Sequence, residues 1–303
     1  MLSWVRRIIL FLALNILIIL TISFLVQVLG IQPYLTHRYG INYPHLLAFC
    51  LIWGMAGAFI SLALSRIMAK WMLGVQVIHP LTKNPKLQEL VQKVHHLARS
   101  AHLPVMPEVG IYSSSEVNAF ATGPMRSRAL VAVSQGLLER MTPNEIEGVL
   151  GHEVSHIANG DMMTMTLLQG VVNAFVMFFA RVLAFVLAQF MRGDRDVGRE
   201  RRASFSLIYG LQMVLEFIFL IFGSMLISWY SRYREYRADA GGARLAGRKN
   251  MIQALEKLRL TLEGIDPSAQ PTLQILKISH RKLALFSTHP PLEDRIARLK
   301  KLS

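Results

Sequence analysis

Four apolar stretches constrain this chain more than any other feature: residues 8–31, 44–65, 164–191 and 204–230 each run on with few or no charged side chains. A helix needs about 20 such residues to cross the hydrocarbon core of a bilayer, whereas apolar runs of about 10 to 14 suit a buried core helix. Stretches of this length predict a chain that lives partly in lipid, and a composition of 52% hydrophobic against 17% charged residues agrees.

The first stretch follows Arg6 and Arg7, as a signal peptide would, but it is too long for a signal core. It also ends in Gln27-Val28-Leu29-Gly30 without a small-x-small cleavage pattern, so it reads as a retained anchor. Cys50 is the only cysteine and lies inside the second stretch. An intramolecular disulfide and a cysteine-based zinc site are both excluded, and any metal must use histidine and carboxylate. The formal charge of +14 would suit nucleic acid or an anionic membrane face. Arg66, Lys70, Lys83, Arg192, Arg232 and Arg234 all stand close to apolar segments and no aromatic-basic module accompanies them, which favours the membrane and excludes nucleic acid as a partner.

The apolar stretches divide the chain into an anchor of two spans (1–65), a polar block (66–163), a hydrophobic hairpin of two spans (164–230) and a second polar block (231–303). In the first polar block Leu87, Leu90, Val91, Val94, Leu97 and Ala98 follow helical spacing. Runs 116–122 and 129–134, broken by Gly123-Pro124, read as a small hairpin. Thr142, Pro143 and Glu145 form a capping box with proline at the first helical position, so a helix starts there and should stop near Asn159-Gly160. The second block reads as helix over 231–245 and 250–262, irregular through Asp266-Pro267 and Pro271, and helical again after Pro291. The fold expected is mainly α with a small β-hairpin or sheet: four hydrophobic helices plus a zincin-like catalytic domain.

On the capped helix lies Gly151-His152-Glu153-Val154-Ser155-His156, an HExxH pattern. A spacing of four sets both imidazoles on one helical face, where they can bind one zinc ion, and Glu153 is placed to act as general base on a water at that ion. A catalytic zinc takes three protein ligands. Downstream candidates are Asp161, Glu200, Glu216, Glu235, Asp239, Glu256 and His289, of which Asp161 is too near in sequence and Glu216 lies inside an apolar stretch. Glu235 is the best, because Asp239 stands four residues on, where it can accept a hydrogen bond from a ligand histidine while Glu235 ligates.

Taken together these pieces resemble the HtpX-type membrane proteases, relatives of the CAAX prenyl endopeptidases within the gluzincins. The matching pieces are the apolar N-terminal pair, Asn118-Ala119-Phe120-Ala121-Thr122-Gly123, the HExxH segment through Asn159-Gly160-Asp161, the hydrophobic pair, Glu235-Tyr236-Arg237-Ala238-Asp239 and Thr288-His289-Pro290-Pro291. The resemblance implies one zinc per chain on His152, His156 and Glu235, with Glu153 as base. It also implies that Asn118, Ala119 and Phe120 form an edge strand to which substrate adds, and that His289 donates a hydrogen bond in the transition state. It implies quality control as the role, with unfolded or damaged membrane proteins as substrates. Arg295, one turn beyond His289, is expected to face water rather than pair with Asp239.

His156 and Glu235 can share an ion only if the chain between them crosses the membrane an even number of times. The link between the first two stretches holds Arg38 alone, whereas Arg6, Arg7, Arg66 and Lys70 flank the other side, so the catalytic blocks should face the cytoplasm of a bacterial inner membrane. Five arginines between 192 and 203 disagree and suggest a hairpin that is incompletely inserted. Arg181 and Glu216 fall at similar depth and are expected to pair or to line a polar cavity. Two other functions fit parts of the pattern: a CAAX-type prenyl-protein endopeptidase, and a non-catalytic membrane zinc adaptor or chaperone. An intact Glu153 argues against the second. Oligomeric state is not encoded in any feature of the sequence.

Overall fold

A long apolar segment folds as helix because only a helix satisfies all its backbone polar groups without water. The computed structural model describes residues 35–36, 40–192, 201–263 and 287–301. After a minimal ladder, β1 (Leu35–Thr36) with β2 (Gly40–Ile41), come α1 (Tyr43–Met72), β3 (Gln76–Val77), α2 (Pro85–Ser100), β4 (Glu108–Tyr112), β5 (Ala119–Thr122), β6 (Leu130–Ser134) and α3 (Gln135–Arg140). Then follow α4 (Pro143–Asn159), α5 (Asp161–Arg192), α6 (Arg201–Ala246), α7 (Arg248–Glu263) and α8 (Leu292–Lys301). Three helices among the described residues, α1, α5 and α6, are long and apolar enough to cross a membrane. The expected span over residues 8–31, the link at 193–200 and the irregular stretch around Asp266 and Pro271 lie outside the described residues.

The chain divides into two compact units, Met1–Ser61 with Thr166–Ile227, and Leu62–Met165 with Ser228–Ser303. In the first unit α1 and α5 approach closely at glycine. A Cβ on Gly54 would lie 2.7 Å from the backbone of both Gly170 and Ala174, so a larger residue would force the helices apart. Arg181 on α5 and Glu216 on α6 form an ion pair of 2.7 Å, and Gln212 donates to the same carboxylate oxygen at 3.1 Å.

The second unit is built on a four-stranded sheet of order β3-β4-β6-β5, in which β4 and β6 are parallel and the other pairs antiparallel. The expected hairpin is its β5–β6 edge, with Ala119 opposite Val133 and Thr122 opposite Leu130. Leu90, Val94 and Leu97 of α2, Val131 and Val133 of β6, and Leu150, Val154 and Ile157 of α4 share one buried core. The apolar face of the HExxH helix therefore belongs to the core, and its opposite face is free to carry chemistry.

Helix α6 departs from expectation in one respect. The apolar stretch ending at Tyr230 and the polar helix expected from Ser231 form one continuous helix to Ala246. No Gly or Pro interrupts 224–240, so the change at Tyr230 is one of composition and not of backbone.

Candidate metal centre

The two histidines are positioned by the ends of α4. At its start the Thr142 side chain accepts from the Glu145 N–H, and the Glu145 carboxylate accepts from the Thr142 N–H at 2.7 Å. At its end Gly160 adopts φ 71° and closes the helix, a left-handed conformation that suits a residue without Cβ. That turn delivers Asp161, the first residue of α5, back onto His156. The Asp161 carboxylate is 2.7 Å from His156 Nδ1, and Asp161 is only 1% exposed. Sequence reasoning set Asp161 aside as a ligand and missed this role. The signal available was a buried-type turn, Asn-Gly-Asp, directly after the second histidine.

Helix α6 reaches the same place because α4 and α6 touch at glycines. A Cβ on Gly242 would stand 2.9 Å from the backbone nitrogen of His152, and one on Gly151 would lie 2.9 Å from Ala246 Cβ. This closeness brings Glu235 and Asp239 to the imidazoles. His152 Nε2 is 3.5 Å and His156 Nε2 is 3.3 Å from the Glu235 carboxylate, and the two Nε2 atoms are 3.0 Å apart. His152 Nδ1 is 2.9 Å from Asp239 Oδ1.

These distances provide a test of fit for a metal. Each Nδ1 faces a carboxylate, which holds the proton there and leaves the Nε2 lone pair pointing at the other imidazole and at Glu235. Three electron-pair donors so close repel one another unless a cation or proton lies among them. A tetrahedral zinc with bonds of about 2.0 to 2.1 Å spaces its ligand atoms by roughly 3.3 Å, which matches the 3.0 to 3.5 Å observed. Among the described residues, His152, His156 and Glu235 are the group whose donor atoms can hold a metal.

The electrostatics agree. Burial alone would lower the pKa of His156, but hydrogen bonds to Asp161 and Glu235 outweigh it and raise it to about 9. His152 is likewise raised, by Asp239 and Glu235 against its burial. Both shifts favour a proton on the imidazoles, the positive charge that this cluster of acceptors calls for.

Arg295 corrects an expectation. It does not face water: it is 7% exposed and grips Asp239 through two bonds, Nε to Oδ2 at 2.8 Å and Nη2 to Oδ1 at 2.6 Å. Its third nitrogen is 3.7 Å from Glu235. Helix α8 carries Ile296 and Leu299 into a cluster with Met251 and Leu255 of α7, and this packing turns Arg295 inward. The sequence placed Arg295 next to a solvated helix start but gave no sign of that packing.

Glu153 is half-buried beside His152, and its charge is felt at His156 and at Arg295. His289 is exposed, with Nδ1 3.1 Å from Glu235 Oε2. Asn118 precedes β5, and its carbonyl accepts from the Ser134 N–H at 2.9 Å. β5 packs on α4 and pairs with β6 alone among the described residues, so its outer edge is open. Glu216 is in the other unit with Arg181, and Glu256 is ion-paired with Lys300 at 3.1 Å.

The chain is similar to known proteins over nearly its whole length. Residues 83–303 match the peptidase family M48 model. A protease HtpX homolog of Bacillus subtilis is 48% identical, covering 97% of this chain and 99% of its own. Protease HtpX of Chromohalobacter salexigens is 46% identical and covers 97% of each chain. The crystal structure of S. mikatae Ste24p superimposes with a TM-score of 0.60 at 19% identity, over 98% of this chain and 66% of that one, a likeness of fold.

Proposed function

The chain belongs to peptidase family M48 and is a membrane-bound metalloprotease; from that premise we propose that His152, His156 and Glu235 hold one zinc ion and that Glu153 is the general base of peptide hydrolysis. The observation that carries this reading is the set of three donors 3.0 to 3.5 Å apart, with both Nδ1 atoms fixed by Asp239 and Asp161. Zinc bound there supplies Lewis acidity that brings the pKa of a water towards about 7 and polarises the scissile carbonyl.

The chain's own groups do the rest. Glu153 takes a proton from the attacking water and returns it to the leaving amine. Asp239 and Asp161 keep each imidazole oriented, and Arg295 holds Asp239 in place. His289, exposed next to Glu235, donates a hydrogen bond to the developing oxyanion. Substrate adds in extended form along β5: because Asn118 pairs with Ser134, alternation directs the backbone groups of Ala119 and Ala121 to the open edge.

The substrates in this reading are unfolded or damaged membrane proteins, cut in quality control. The catalytic unit in this reading faces the cytoplasm of a bacterial inner membrane. Incubating the purified chain with an unfolded membrane protein tests the activity. Cleavage that stops with a chelator and returns with zinc supports it, and cleavage indifferent to chelator overturns it. For orientation, a reporter active only outside the cytoplasm should be silent after Gly110 and at Ser303. Opposite results at the two positions would mean that His156 and Glu235 cannot share an ion.

A further inference from the structure

Behind Asp239 lies a cavity of about 310 Å³ that the proteolytic chemistry does not use. Its wall includes Arg237 and Arg244 of α6, Arg295 and Arg298 of α8, Tyr236 and Asn159. The one acid in the wall, Asp239, is already neutralised by Arg295 and His152. Among the described residues no carboxylate lies within ion-pair reach of Arg237, Arg244 or Arg298, and Arg298 is held in place by the Tyr236 ring, its guanidinium 4.5 Å from the ring centre. The amide nitrogen of Asn159, on the same wall, is buried and has no hydrogen-bond partner among the described residues.

Four guanidinium groups line one concave space, and three of them, the exposed Arg237, Arg244 and Arg298, form no ion pair among the described residues, so their combined positive charge favours an anion there. Guanidinium forks match the oxygens of a phosphate. The volume is at the lower end of the 300 to 1,000 Å³ or so that small ligands occupy, enough for a phosphate with a few attached atoms.

The position favours one source of phosphate. Tyr233, which also borders the cavity, comes three residues after the apolar stretch ends at Tyr230 and is half exposed; Trp229, one turn earlier, is 59% exposed. At about 1.5 Å per residue, Tyr233 stands within about 5 Å of the end of that stretch. Aromatic side chains at such a place mark the headgroup layer, and Arg237 is one turn beyond.

We propose that this cavity binds the phosphate of an acidic phospholipid headgroup, through Arg237, Arg244 and Arg298. Arg295 closes its inner wall and at the same time holds Asp239 against His152, so the lipid site and the metal site share one guanidinium.

The test reads binding, so it stands apart from the proteolytic reading. The full chain is placed in vesicles of phosphatidylcholine with about one-fifth phosphatidylglycerol, and in phosphatidylcholine alone, then extracted, and retained lipid is counted by mass spectrometry. Inorganic phosphate is titrated separately in detergent. Wild type should retain phosphatidylglycerol in preference to phosphatidylcholine, and Arg237→Gln/Arg244→Gln should weaken that retention by about tenfold or more, the loss expected when charge-assisted hydrogen bonds go. Lys86→Gln/Lys249→Gln removes the same charge at exposed positions outside the cavity and should behave as wild type. Equal retention by the arginine variant and wild type, or equal loss in the lysine variant, overturns the site. Inorganic phosphate binding that depends on the arginines, without preference for phosphatidylglycerol, overturns the lipid as its occupant.

Discussion

The two compact units each pair charges away from full exposure, and they do it differently. Around Glu235 the groups are held several times over: Asp239 by Arg295 and His152, His156 by Asp161, and Glu235 within 3.5 Å of three histidines. Around Arg181 there is one ion pair, one glutamine, one bond from Nη1 to the Met177 carbonyl and one ring contact with Phe49, and among the described residues the Arg181 Nε has no partner. A site that must keep a divalent ion within tenths of an ångström needs every ligand braced. A pair between apolar helices only has to avoid leaving a charge alone in lipid. Redundancy in one cluster and its lack in the other therefore separate a site built for chemistry from a brace.

The largest effect should come from removing a donor. Glu235→Ala is expected to lower zinc affinity by well over a hundredfold, beyond the range of about 10 to 100 for outer partners. Glu256→Ala, which removes an exposed ion pair, should leave it unchanged. Competition against a chelator of known affinity measures both, and equal zinc retention would mean that Glu235 is not a ligand.

Arg295→Met comes next. It strands Asp239 as a buried charge without its strongest partner, for which about 3 to 5 kcal/mol of stability is the expected loss. The matching change in the other unit, Arg181→Met, should cost under about 2 kcal/mol, since polar contacts between membrane helices are worth about 0.6 on average. Denaturant unfolding in detergent compares the two directly. Equal losses would break the distinction between a braced site and a single brace.

Asp161→Asn and Asp239→Asn should each weaken zinc affinity or turnover by about 10 to 100 fold while the fold survives. A smaller effect at Asp161 than at Asp239 would show that the two imidazoles are not braced alike.

The smallest effect concerns pH. With its pKa raised to about 9 in the metal-free protein, protonated His156 stabilises the fold fully below about 6.5, and that stability is lost as pH rises through 9. Zinc binding must displace that proton, so at neutral pH its enthalpy should vary with the ionisation enthalpy of the buffer, and affinity should fall as pH falls. Melting of the metal-free protein that does not change between pH 6.5 and 9 would contradict the raised value.

The parts of this site that were legible in the sequence are those fixed by local rules. The capping box at Thr142, the stop at Gly160 and the i, i+4 pairs on α4 and α6 each depend on residues within one turn of helix. The parts that were not legible depend on packing. Arg295 turns inward because Ile296 and Leu299 dock on α7, more than 30 residues earlier. β4, short and with Gly110 at its centre, is a strand because it pairs with β6 on one side and β3 on the other. The continuity of α6 past Tyr230 was hidden for another reason: a change from apolar to charged residues looks like a boundary, yet helical backbone is indifferent to it.

In the proposed mechanism Glu153 does chemistry on an ion held by other residues. Zinc content and cleavage of an unfolded membrane protein, measured on the same preparation of Glu153→Gln, test it most directly. About one zinc per chain, as in wild type, is expected with cleavage abolished, because an amide cannot take the proton. Wild-type cleavage would remove Glu153 from the mechanism, and loss of zinc would make it a ligand, contradicting the site built here from His152, His156 and Glu235.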